Sequence, residues 1–142
     1  YVSANFIAKE KGIELSTKAL TNSSGYKNKV TIKITTSKGV KSISGTVFGE
    51  DVQRVVDLDG FKIDVDPKGK MIIMKNKDIP GVVGKVGNIL GENGINISDF
   101  RLSRGKEGTA LAVILIDEKA NSKVISELDN LEASIAVAYA EI

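Results

Sequence analysis

The chain has 142 residues, 42% of them apolar and 27% charged, which is the make-up of an ordinary globular protein. Cysteine and histidine are both absent, which excludes a cysteine nucleophile, a Ser-His-Asp triad, a disulfide framework and a zinc site built on Cys or His. Twenty Lys and Arg against 18 Asp and Glu leave a net charge of +2, so nothing marks an electrostatic nucleic-acid binder. No apolar run approaches the roughly 18–20 residues of a membrane span, and no signal peptide is visible. Tyr1 is not an initiating Met, and the sequence reads as a piece cut from a longer protein, which leaves room for a catalytic part upstream.

Ser3 to Lys11 is predicted as a short helix, with Gly12 as a left-handed cap and Ile13 behind it. Thr21 to Lys29 is a polar loop. Lys29 to Thr36 alternates, Val30, Ile32 and Ile34 sharing one face, and predicts a half-buried strand. Lys38-Gly39 turns into a strand over Val40 to Phe48, and Val52 to Leu58 forms a third. Asp59-Gly60 is a hairpin signal before Phe61, Ile63 and Val65 alternate again. Pro67-Lys68-Gly69 makes another turn.

Met71 to Lys75 reads as a buried strand and Asn76 to Gly81 as a loop. Asp78 is placed to cap the next helix, Pro80 suits its first turn, and Val82, Val83, Val86, Ile89 and Leu90 form its apolar face. Gly94 ends it. Ile95 to Ser103 is a strand whose alternation slips, which predicts a bulge near Asp99. Arg104 to Gly108 is a hairpin loop, Thr109 to Asp117 an apolar strand, Asn121 to Asn130 an amphipathic helix and Ser134 to Ile142 a last strand. The expected fold is α+β. A small antiparallel α+β domain, residues 1–69, precedes a ferredoxin-like βαββαβ domain, residues 70–142, with both helices on one face of its sheet. Strand 109–117 is apolar on both sides, so the other sheet face is expected to meet a second copy or another domain.

Three features invite a chemical reading. Gly84, Gly87 and Gly91 form one stripe on a helix, where each interior glycine costs about 0.5–1 kcal/mol relative to alanine. Close packing explains the stripe better than a phosphate cradle, because the run matches no Walker pattern. The loop 76–81 sets a carboxylate, Asp78, and an amide, Asn76, at a helix start beside free backbone donors of Gly81, Val82 and Val83. Asp78 either caps the helix or accepts the ammonium of a zwitterion such as an amino acid, whose carboxylate the helix-start amides and Asn96 would take. Asn96 is otherwise a plain turn residue after Gly94.

The run NKDIPGVVGKVGNILGENGINISDFRLSR resembles an ACT domain, the small-ligand regulatory module of amino-acid metabolism. With SANFIAKEKGIEL and SGTVFGEDVQRVVDLDGFKIDVDPKG, the whole chain resembles the C-terminal regulatory region of the D-3-phosphoglycerate dehydrogenases, an intervening domain followed by an ACT domain. The resemblance implies a cytoplasmic parent enzyme that oxidises 3-phosphoglycerate with NAD in serine synthesis, while this piece holds no cofactor, no metal and no catalytic residue. It implies ACT domains paired side by side in a homodimer, a tetramer in the parent, and L-serine or a similar small amino acid bound at the pair for feedback inhibition. It assigns the serine contacts to Asp78, Asn76 and Asn96. It also implies a basic anion site at Arg54 in the intervening domain, where Asp66 stands in place of an expected second basic residue. Neither nucleic acid nor membrane is an expected partner. An RNA-recognition module would need stacking aromatics, and 109–117 has none. An acylphosphatase-like reaction would need an arginine in the phosphate loop, which NKDIPG lacks. The alternative kept open is an ACT pair that serves only to oligomerise.

Overall fold

The structure, a computed structural model, describes residues 3–19 and 25–142. In chain order the elements are α1 (Ala4–Glu10), β1 (Lys29–Thr36), β2 (Gly39–Phe48), β3 (Val52–Leu58) and β4 (Phe61–Val65), then β5 (Lys70–Lys77), α2 (Val82–Glu92), β6 (Ile97–Arg104), β7 (Thr109–Ile116), α3 (Ser122–Asp129) and β8 (Ser134–Glu141). They build two four-stranded antiparallel sheets, ordered β1-β2-β3-β4 and β6-β7-β5-β8. The second order, with α2 and α3 as crossovers, is the ferredoxin-like arrangement. The predicted loop before β1 lies partly outside the described residues.

The first sheet is a meander set by its turns. Asp59 and Gly60 both take positive φ, 50° and 85°, as a two-residue hairpin turn of the primed kind requires. The Asp59 carboxylate accepts the Lys41 ammonium and the Ser42 N–H, each at 2.8 Å, and so ties this turn to β2. Burial pushes the Asp59 carboxyl up, but those two bonds and the charges of Lys41 and Lys75 hold it below the ordinary range. The half-buried expectation for β1 fails. Val30, Ile32 and Ile34 do share a face, yet they are 57–69% exposed. β1 is the outermost strand, and no described residue covers its apolar side.

The second sheet carries the core. Ile72 and Met74 of β5 and Ala112, Ile114 and Ile116 of β7 pack under Val82, Val86 and Leu90 of α2 and Val124 and Leu128 of α3. Each buried Val, Leu, Ile or Met side chain among them stabilises the fold by about 1.5–3 kcal/mol. α3 starts as expected, with the Asn121 carboxamide oxygen accepting the Val124 N–H at 3.0 Å. α2 does not. Its N-cap is Gly81 at φ 88°, no side chain caps it, and Pro80 precedes the cap rather than occupying the first turn. Asp78 therefore caps nothing: the helix begins three residues later than a cap at Asp78 requires, and its carboxylate pairs with Arg104 instead. The glycine stripe is a second correction. A methyl group built on Gly84, Gly87 or Gly91 meets no atom within 4 Å, so close packing among the described residues does not explain it. The expected bulge is present: the β6–β7 register shifts between Ile97 and Asp99.

The opposite face of the second sheet is covered from within the chain. Met71 of β5 with Leu111 and Val113 of β7 buries against Phe61 and Val65 of β4. The expectation of a second copy or another domain thus resolves, on this face, as the chain's own first sheet. Phe61 sits so close to the β6–β7 hairpin that a Cβ on Gly105 would stand 2.4 Å from its ring. The Lys75 ammonium lies 5.7 Å from the centre of the same ring. No helix among the described residues is long and apolar enough to cross a membrane.

Candidate functional site

Strand direction decides which predicted residues meet. β5 pairs with β7 from Lys70 opposite Ile116 to Lys77 opposite Thr109. β6 pairs with β7 from Ile97 opposite Ile116 to Arg104 opposite Ala110. β5 and β6 are both antiparallel to β7, so they run parallel to each other. The end of β6 stands level with the end of β5, and its start with the start of β5.

At the shared end, Asn76, Asp78 and Val82 line one narrow cleft of about 30 Å³, whose apolar walls include Met74, Phe100 and Leu102. Asn76 lies inside β5 rather than in the expected loop, since the strand runs on to Lys77. It is only 4% exposed. Its Nδ2 donates to the Lys77 carbonyl at 2.7 Å, and no described residue bonds its Oδ1. The Asp78 N–H donates to the Gly108 carbonyl at 2.7 Å, which fixes the backbone at the mouth of the cleft. Asp78 Oδ2 pairs with Arg104 Nε at 3.1 Å. Gly81 opens α2 just beyond, with the uncapped N–H groups of the first turn free.

Asn96 stands elsewhere. It precedes Ile97, at the opposite end of the sheet, some eight or nine strand residues or roughly 25–30 Å from Asp78. There its N–H donates to Glu118 and its Nδ2 to Asp117, both at 2.6 Å. The expectation that it lies near the loop after β5 is therefore corrected for a single chain. β6 is, however, an edge strand. Two copies joined antiparallel along β6 would bring Asn96 of one level with Arg104 and Asp78 of the other.

Arg54 lies on β3 of the first sheet. Its guanidinium meets Asp64 at 3.1 Å and Asp66 at 3.5 Å, and Lys68 also pairs with Asp66. The Lys68 bond, with the charges of Lys68 and Arg54, holds the Asp66 carboxyl below its ordinary range against a smaller opposing push from burial. Two cations and two anions leave no net positive charge for an anion to seek.

The residue that sequence reasoning missed is Arg104, taken as part of the hairpin loop. The signal was available in the topology: in a ferredoxin-like sheet the second strand ends beside the end of the first, so a charge at its last position faces the loop after β5.

A family model for the D-3-phosphoglycerate dehydrogenase intervening domain matches residues 1–59, and one for the ACT domain matches residues 70–133. The D-3-phosphoglycerate dehydrogenase of Bacillus subtilis is 34% identical over 137 residues, 96% of this chain and 26% of the relative. That of Archaeoglobus fulgidus is 29% identical over 144 residues, 99% of this chain and 27% of the relative. That of Synechocystis is 30% identical over 140 residues, 98% of this chain and 25% of the relative. The chain spans about a quarter of the length of these relatives.

Proposed function

We propose, from the premise that the chain is an intervening domain of the D-3-phosphoglycerate dehydrogenase family joined to an ACT domain, that it binds L-serine between two copies and so regulates the parent enzyme. The parent reaction is the NAD-dependent oxidation of 3-phosphoglycerate, carried by a part of the protein outside this sequence. Inhibition is feedback by the pathway's product, in the cytoplasm.

One observation carries this reading: the cleft of Asn76 and Asp78 ends at the edge strand whose far end holds Asn96. A small zwitterion needs an acceptor for its ammonium and donors for its carboxylate. Asp78 is the acceptor. The free N–H groups around Gly81 and Val82, with Asn96 of the second copy, are donors. Each charge-assisted hydrogen bond is worth about 1.5–3 kcal/mol. Serine regulates only if it binds one arrangement of the pair better than another, and a coupling of about 1–3 kcal/mol is a five- to 150-fold effect. The route to the rest of the enzyme is the packing of β4 on the ACT sheet, where Phe61 meets the loop that follows Arg104.

The test is titration calorimetry on the chain at a concentration where it dimerises. L-Serine is expected to bind at millimolar concentration or below, and Asp78→Ala to abolish binding with the fold intact. Absence of binding by the dimer overturns the reading and leaves the pair as an oligomerisation element. Unchanged affinity in Asp78→Ala removes the ammonium assignment.

A further inference from the structure

We infer that Arg104 is the partner of the ligand's α-carboxylate and restricts the cleft to amino acids with that group free. This rests on the reading of the cleft as an amino-acid site. Arg104 touches Asp78 through Nε alone, and no described residue bonds Nη1 or Nη2. A guanidinium has five N–H donors in a rigid fork, and its Nη1–Nη2 edge matches a carboxylate with two parallel bonds. The side chain is 77% exposed, so that edge is open to solvent beside Asp78, which lines the cleft.

Asp78 is half-used in the same way. Oδ2 holds Arg104, while Oδ1 has no partner among the described residues. The pair thus presents one free acceptor edge and one free donor edge side by side. An α-amino acid carries its ammonium and carboxylate on one carbon, so it reaches both at once, and the existing ion pair need not break. A dedicated cap for α2 would have consumed Asp78, and none is present. Below the pair, the Asn76 Oδ1, which no described residue bonds, is a further side-chain acceptor in a cleft whose other walls are mostly apolar. A ligand held by the Asp78–Arg104 pair directs its side chain there, and the narrowness of the cleft admits a small one.

A rival role for Arg104 is a plug, competing with the ligand's ammonium for Asp78. The two roles give opposite signs. If Arg104 takes the carboxylate, Arg104→Gln weakens L-serine binding at least tenfold. The wild-type preference for L-serine over L-serinamide, which lacks the carboxylate, then collapses in the variant. Arg104→Lys, which keeps the charge and loses the fork, falls between them. If Arg104 is a plug, Arg104→Gln tightens L-serine.

The experiment is calorimetric titration of the chain and both variants with L-serine and L-serinamide, with thermal melts as the control for folding. Arg104 is exposed, so both variants are expected to fold. Weaker L-serine binding together with lost discrimination against the amide supports the proposal. Affinity within twofold of wild type, tighter binding, or equal losses for serine and its amide overturns it. The underlying reading fails separately, at the wild-type titration: a chain that binds no serine overturns both.

Discussion

Replacing Phe61 with alanine tests how firmly the two sheets are joined. The ring is buried among Val65, Met71, Leu111 and Val113, and it carries the cation–π contact to Lys75. Phe→Ala in a packed core costs about 3–5 kcal/mol, and an exposed cation–π contact adds about 0.5–1 kcal/mol. Met71 and Lys75 are flexible enough to fill part of the hole, so the lower end applies, about 3 kcal/mol. With a urea m-value of about 2 kcal/mol/M, the unfolding midpoint of the first sheet should fall by about 1.5 M. Because Phe61 lies between the sheets, the loss should be local. Hydrogen exchange should show β3 and β4 amides losing about 10²-fold protection, while Ile72 and Ile114, on the helix side, keep theirs. A loss below about 1 kcal/mol, or equal deprotection of both sheets, would refute the reasoning. Gly105→Ala provides the complementary cycle. Its Cβ would collide with the Phe61 ring and crowd the Thr109 hydroxyl at 2.9 Å, at a cost of about 1–3 kcal/mol. Most of that cost should vanish in a chain already carrying Phe61→Ala.

Three further outcomes are expected. Gly84→Ala and Gly87→Ala, which add methyl groups to open space on α2, should each stabilise the chain by about 0.5–1 kcal/mol in urea; a loss would mean that the stripe is packed. Asn121→Ala should cost about 1 kcal/mol by freeing the Val124 N–H, and an unchanged melt would show that the cap is idle. The third concerns Asp59, whose folded pKa is depressed by the Lys41 and Ser42 bonds against the opposing push of burial. Its contribution is full above the unfolded value of about 3.9 and is lost as pH falls through the lower folded value. Asp59→Asn should therefore be less stable than the parent chain at pH 6, with the gap closing on acidification; a pH-independent gap would exclude the linkage.

The strands, the Asp59-Gly60 turn and the bulge near Asp99 were legible because each leaves a local mark: period-two alternation, a residue pair suited to positive φ, or a slip in the alternation. What stayed hidden depends on what lies across from a residue. Alternation assigned Val30, Ile32 and Ile34 to one face and could not tell that no described residue covers it. The glycines of α2 carried the same ambiguity with the opposite expectation. Asp78 has the residue type of a cap, but the helix starts only after Gly81, and its ion-pair partner Arg104 lies 26 residues away in sequence. Asn96 was misplaced because strand direction, which puts it at the far end of the sheet, is a property of the assembled topology.

That far placement has a consequence in mass action. If Asp78 and Asn96 serve one ligand from opposite ends of the sheet, each chain carries two unlike halves of a site, and each pair completes two sites at once. Saturation then reads one ligand per chain but never occurs on a lone chain. Apparent affinity rises with protein concentration, ligand draws the monomer–dimer equilibrium toward the dimer, and dilution alone releases ligand. Measurements at nanomolar and at micromolar protein would then report different affinities for the same molecule, and the ratio between them would measure the strength of the seam.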